Sequence, residues 1–366
     1  MREMTSRERI LASLKFEQTD RLCYSPLADN YFATSLEKQG HEYDLIKALR
    51  YIGCDIIERH SPCYRELYDD SVKTETKEDH GHYETWFHTP VGSVHNHFYF
   101  ENGAMYLTKH LIDTIEDAKV MIYVVSHTRI EFLPEMFEER KRYLGEDGIP
   151  TPTAPCSPLL ETVQVLCGLE NSTYFLLDEQ ETMEELFAAL HERNKTIYRT
   201  LCKLDSPVVF CYEDTSTTLI SRDWLNEYAI PALNDYADIL HEGGKLFITH
   251  MCGKLTGFKG DLCFIKSDGI DSVCPPTTGD MHIWEARAAF PKKILIGGIE
   301  PPSLVQTSEA EVLRRVEEII ERMPTKAGFI LSTGDAVPHG TPIGTLKAIA
   351  DLIKRLGPES LKQGIG

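Results

Sequence analysis

The sequence lacks the marks of several large protein classes. No run of about 18 apolar residues occurs, so no helix long enough to cross a bilayer is expected. Its opening, MREMTSRERILASL, is charged and amphipathic where a secretory leader carries an apolar core. The ten cysteines form no CxxC pair, so reduced thiols in a cytoplasmic setting are expected, without a disulfide framework. No GxGxxG follows an early strand, which removes the usual dinucleotide fingerprint. Positive charge is scarce: 38 Lys and Arg stand against 57 Asp and Glu, a formal net charge of −19. Nucleic acid and anionic membranes are therefore excluded as expected partners, because both are held by clustered cations. The acidity serves solubility, and a locally basic pocket for a small anion is still compatible with it.

What the chain does have is regular alternation. Its 366 residues are 42% hydrophobic and 26% charged, enough for a core of ordinary size. A helix is expected over residues 5–16 and a short strand over 21–26. Helices follow near 29–39 and 43–51, and then a buried strand at 54–57. From 67 to 100 the pattern changes to period two, which predicts an antiparallel β insertion. Its His80, His82, His88, His95 and His97 read as exposed strand positions rather than a metal tract. Beyond about residue 112, strands at 208–210, 246–248, 271–273, 294–296 and 329–331 alternate with helices, among them 157–166, 181–204, 221–241, 254–266 and 279–290. Alternation of this kind makes a parallel sheet, and its regularity favours closure into a barrel over an open, doubly wound sheet. The expected fold class is α/β: a single (β/α)8 TIM-barrel domain over residues 1–366, with the β insertion near 67–100.

Chemistry in such a barrel sits where strands end at their C-terminal side. After the strand at 246–249 comes His250-Met251-Cys252-Gly253. Residues two apart share a side, and a nitrogen–sulfur donor pair suits zinc. Cys274 follows the next strand and offers a second thiolate. Glu213 and Asp214 follow 208–211, and paired carboxylates there are candidates for catalysis as acid, base or anchor. Asp335, in STGDAVPHGTP, is an acidic candidate ligand. Asp29 and Glu300 (the latter in GGIEPP) are candidate substrate-binding carboxylates. Each alone reads as a buried core cysteine or histidine or a solvated loop acid. Together, at successive strand ends, they form a constellation that points to a metal-assisted site.

The residues also carry a resemblance. TSRERILASLKFEQTDR resembles the amino-terminal signature of the uroporphyrinogen decarboxylase superfamily. EDTSTTLISRDWLNEYAIPALNDYADILHEGGKLFITHMCGKL is similar to its central segment, KKILIGGIEPP to its strand and loop, and STGDAVPHGTPIGTLKAIADLI to its closing loop and helix. The resemblance implies a (β/α)8 barrel. True decarboxylases of the superfamily carry an arginine-rich RQAGRY-type motif after the first strand, where this chain has SPLADNYFATSLEKQG, without arginine. The other branch comprises cobalamin-dependent methyltransferases, similar to those acting on methylcobamide and coenzyme M, with zinc held by His-x-Cys and a distant Cys. His250 and Cys252 match the first two, and Asp335 stands at the place of the third. Either Asp335 binds as an oxygen ligand or Cys274 supplies the sulfur.

The resemblance thus implies a zinc-dependent methyltransferase working with a small thiol or methoxylated substrate. The corrinoid (cobalamin) would be carried by a separate protein, since no DxHxxG attachment motif occurs in this chain. The β insertion is a candidate lid or homodimer contact. A lyase acting on a carboxylated substrate and a non-catalytic corrinoid- or substrate-binding barrel are the alternatives.

Overall fold

The computed structural model describes residues 2–42 and 44–363. Tyr43, at the start of an expected helix, and the extreme ends of the 1–366 domain lie outside them. Eight parallel strand positions follow in chain order: β1 (Cys23–Tyr24), β2 (Ile56–Glu58), β3 (Gly148–Pro150, continued by Thr153–Ala154), β4 (Val208–Tyr212), β5 (Leu246–His250), β6 (Gly269–Val273), β7 (Ile294–Ile299) and β8 (Phe329–Thr333). One seven-stranded parallel sheet runs from the second part of β3 through β4, β5, β6, β7 and β8 to β1, while β2 pairs in parallel with the first part of β3. Between β1 and β2, Asp55 N donates to Tyr24 O at 2.8 Å. The architecture is α/β and TIM-barrel-like, as the alternation of elements predicts.

Inward residues of these strands, including Ile57, Ile149, Phe210, Ile248, Ile296 and Ile330, pack into one cluster with Ile10 and Leu14 of the helix Ser6–Leu14. That helix starts on a capping box, Thr5 accepting from Glu8 N while the Glu8 carboxylate accepts from Thr5 N. Its Arg9 is buried with Asp20 and Asp55, and Arg21 joins the same carboxylate of Asp55 at 3.0 Å. The opening signature is thus an electrostatic clasp between the helix and the β1–β2 region. Removing one partner of such a buried set costs about 3–5 kcal/mol, because a charge is left unpaired.

The β insertion spans more than the expected 67–100. Strands Lys73–Asp79, His82–Thr89, Gly92–Glu101 and Ala104–Lys109 form a four-stranded antiparallel sheet, and Tyr64–Tyr68 pairs separately with Thr128–Phe132. Several of its histidines are used in stacking: His82 lies on His97 at 5.3 Å and Trp86 on His95 at 3.9 Å. The buried Val94 in the third strand belongs to the main core together with Val120 of the helix Ile115–Ser126. At the tip, the Asn102–Gly103 turn rests on the helix Asn30–Ala33, with Thr34 Oγ1 donating to Asn102 O at 2.8 Å.

The helix expected over 254–266 does not form. Short 3₁₀ turns, Thr256–Phe258 and Leu262–Phe264, stand in its place. Gly253, Gly257 and Gly260 weaken helix propensity there, and the Asp280 carboxylate captures the Leu255 and Thr256 amides at 2.7 and 3.1 Å. The expected helices at 157–166 and 221–241 each contain a π segment, Thr162–Leu166 and Leu225–Ala229. In the second, Pro231 removes an amide from the ladder just beyond the wide turn.

Candidate functional site

The register of three adjacent strands places Tyr212 beside His250 and His250 beside Asp271. His250 is buried, with Nδ1 2.8 Å from Asp271 Oδ2 and 3.0 Å from Ser272 Oγ. Asp271 in turn receives the Arg59 guanidinium on both oxygens, Nη2 lying 3.0 Å from Oδ1. Burial alone would raise the Asp271 pKa, but the Arg59 charge and the His250 hydrogen bond hold it well below the usual carboxylate range. For His250, burial opposes a proton, yet the bond to Asp271 and the surrounding carboxylates push its pKa up.

The other ring nitrogen faces a cluster of donors. His250 Nε2 lies 3.5 Å from Asp214 Oδ1 and 4.0 Å from Asp335 Oδ1. Cys252 Sγ lies 3.6 Å from the same Asp214 oxygen. The ligand atoms of Asp214, His250 and Cys252 all fall within 4.8 Å of one another, the one such grouping among the described residues. Tetrahedral zinc, with bonds of about 2.0–2.3 Å, requires donor separations of about 3.3–3.8 Å. The donor set suits that ion in chemistry, and the two separations to Asp214 Oδ1, 3.5 and 3.6 Å, fall in that range. Burial, followed by the charges of Asp214 and Asp335, pushes the Cys252 thiol up, a repulsion that a divalent cation among these groups reverses.

Backbone conformation aims the carboxylates. Both Glu213 N and Asp214 N reach His250 O at 3.0 Å, and Asp214 adopts a left-handed φ of +29°. Asp214 consequently points into the site. Glu213 turns into the protein interior, where it accepts from Ser157 N at 2.7 Å and Ser157 Oγ at 2.6 Å. Burial pushes its pKa up to about 8.

The remaining expected residues are dispersed. Cys274 is buried against Gly334, where a Cβ would fall 2.5 Å from its sulfur, and its thiol is pushed up to about 12 by burial. It is not part of the donor group. Asp335 stands at the rim with 40% of its side chain exposed. Asp29 caps the helix Asn30–Ala33, accepting from Tyr31 N at 2.9 Å, and faces the same cavity. Burial raises its pKa, with the Asp335 charge adding to the effect. Glu300 lies apart. It accepts from Ser303 N at 2.9 Å and Thr277 Oγ1 at 3.1 Å beside a separate hollow of about 280 Å³.

The cavity at this site measures about 610 Å³ and includes Asp29, Asp214, His250, Cys252 and Asp335 in its wall. Sequence reasoning missed four contributors: Arg59, His60, Tyr212 and Asp271. His60, at a left-handed φ of +60°, stacks on Tyr212 at 4.5 Å, and Tyr212 stacks on His250 at 4.8 Å. The two arginines of the wall are both engaged, Arg59 by Asp271 and Arg140 by Glu58 at 2.9 Å. A signal existed for Asp271, the one charged residue in the fully buried strand GIDSV. Arg59 could have been found two residues beyond Ile57, on the same side of that strand.

The uroporphyrinogen decarboxylase (URO-D) family model matches residues 99–356, which hold every candidate ligand. The chain belongs to that family. Among solved structures, a methyltransferase from Methanosarcina mazei is similar with a TM-score of 0.66 and 14% identity, over 97% of this chain and 99% of that one. At that identity the likeness is one of fold. No curated protein sequence matches. No helix among the described residues is long and apolar enough to cross a membrane.

Proposed function

We propose that this URO-D family member is a zinc-dependent methyltransferase. It moves a methyl group between a corrinoid, carried by a separate protein, and a small thiol or methoxylated substrate. The observation that carries the reading is the nitrogen, sulfur and oxygen donor set of His250, Cys252 and Asp214, which converges at the wall of a large cavity with Asp335 at its rim. When bound there, zinc lowers the pKa of a coordinated thiol or draws charge from an ether oxygen.

The chain's own groups supply the rest. Asp271 accepts a hydrogen bond from His250 Nδ1–H and so leaves the Nε2 lone pair free to bind a metal. The stacked rings of His60, Tyr212 and His250 form one wall beside the donors. Asp335, exposed at the rim, receives the proton that a substrate thiol gives up. Asp29 faces the same space and orients the substrate. Glu213 has no contact with the cavity and holds the strand end through Ser157. The corrinoid protein approaches from the mouth. In a decarboxylase, cations must be free to hold substrate carboxylates, whereas Arg59 and Arg140 are both paired.

The test is spectroscopic. Methylcobalamin with a panel of thiols, and cob(I)alamin with methyl ethers, are followed by corrinoid absorbance. Turnover by the wild-type protein is expected, with Cys252→Ser slower by about 100-fold or more. Equal rates in the two proteins, or metal-independent loss of CO₂ from a carboxylated substrate, would overturn the reading.

A further inference from the structure

Arg59 and Asp271 do no chemistry in this scheme, yet the pair lies directly under the site with only 4% and 0% of the side chains exposed. Asp271 is in β6 and Arg59 follows β2 directly, so the pair joins two strands that are not neighbours in either parallel sheet. The guanidinium also lies 4.7 Å above the Phe210 ring. A buried ion pair adds little net stability over apolar residues of similar volume, so stability alone does not account for its position.

The local backbone supplies a reason. The β6–β7 ladder shifts register between Ile270 and Val273, and Ser272 takes a left-handed φ of +66°. Irregularities of this kind re-aim side chains beside functional sites. Here the result is that the Asp271 and Ser272 oxygens lie 2.8 and 3.0 Å from one nitrogen, Nδ1 of His250. Both Asp271 oxygens accept from the Arg59 guanidinium, so toward the imidazole this carboxylate accepts as well. In the neutral ring the proton therefore belongs on Nδ1, and the Nε2 lone pair then faces Asp214 and Cys252.

We propose that the Arg59–Asp271 pair is a positioning device for the metal site. Arg59 fixes both oxygens of Asp271 in place, and Asp271 locks His250 in the tautomer that presents Nε2 to the ion. The metal half of this proposal rests on the zinc reading above. The tautomer half is a property of the metal-free chain and is tested separately.

The experiment uses metal-free protein with ¹⁵N-labelled histidine rings at alkaline pH, where the ring carries one proton. The His250 signals are assigned by their loss in His250→Gln. Zinc affinity is measured alongside by competition with a chromogenic chelator. Wild-type His250 is expected to carry its proton on Nδ1. Asp271→Asn is expected to mix the tautomers and to weaken zinc binding by about 10–100-fold. Because that single change strands the Arg59 charge, the double variant Arg59→Gln/Asp271→Asn restores charge balance. It is expected to melt close to wild type while keeping the mixed tautomer and the weaker binding. A proton on Nε2 in the wild type, or a double variant with wild-type tautomer and affinity, would overturn the proposal. A locked Nδ1 proton in a wild-type chain that binds no zinc would support the tautomer role and overturn the zinc reading.

Discussion

Glu213 and Asp214 are adjacent in the chain and occupy opposite environments. The left-handed φ of Asp214 sends one carboxylate to the donor cluster and leaves the other buried on Ser157. Burial raises Glu213 from 4.5 to about 8, so the folded state holds this proton more tightly than the unfolded chain. The associated stability is complete below the unfolded pKa and is lost as pH rises through the folded one. Thermal melts are therefore expected to show the wild-type protein losing stability, relative to Glu213→Gln, between pH 4.5 and about 8. Parallel profiles for the two proteins would contradict the assignment. A second comparison separates the candidate third ligands. Asp214→Asn is expected to weaken zinc binding by about 10-fold or more, while Cys274→Ala leaves it within about twofold of wild type. Chelator competition reads both, and the reverse ranking would place the third donor on Cys274.

His250 and Cys252 were legible in the sequence because a strand end puts alternate residues on one side, and the ligand atoms of both lie within 4.8 Å of each other. Asp271 and Arg59 were not, because their pairing joins positions 212 residues apart, and no local pattern encodes a contact between such distant strands.

Among the elements, the β insertion has a defined connection to the site. Its tip turn lies on the short helix that Asp29 caps, and Gly103 makes that approach possible at φ +79°. A Cβ there would fall 2.8 Å from Asn30 O and 2.9 Å from Thr34 Cγ2. Gly103→Ala is expected to cost about 1 kcal/mol or more and to speed amide hydrogen exchange in residues 30–34 and 100–105. Unchanged exchange in both segments would show that the tip does not brace the helix. The insertion was readable from its period-two pattern, although its first strand, KTETKED, is exposed on both faces and offers no apolar alternation to mark where it begins. The absent helix at 254–266 was unreadable for a different reason. Asp280, which captures its first amides, comes from a later part of the chain.

At the scale of the whole molecule, strand and helix alternation gave the α/β class and the parallel sheet, because each half-pattern buries an apolar face on its neighbour. The third strand left the weakest trace: none was expected over Gly148–Pro150 or Thr153–Ala154. Its register with Ile56–Glu58 joins residues across the entire β insertion. The family match and the convergent donors bear on one central claim, that a single zinc ion per chain is held at the strand ends of this fold. The direct measurement is the zinc content of the purified protein, prepared without chelator, beside Cys252→Ser. The account predicts about one zinc per chain, lost in the variant. A wild-type protein without stoichiometric zinc, or a variant that retains it, would contradict the account.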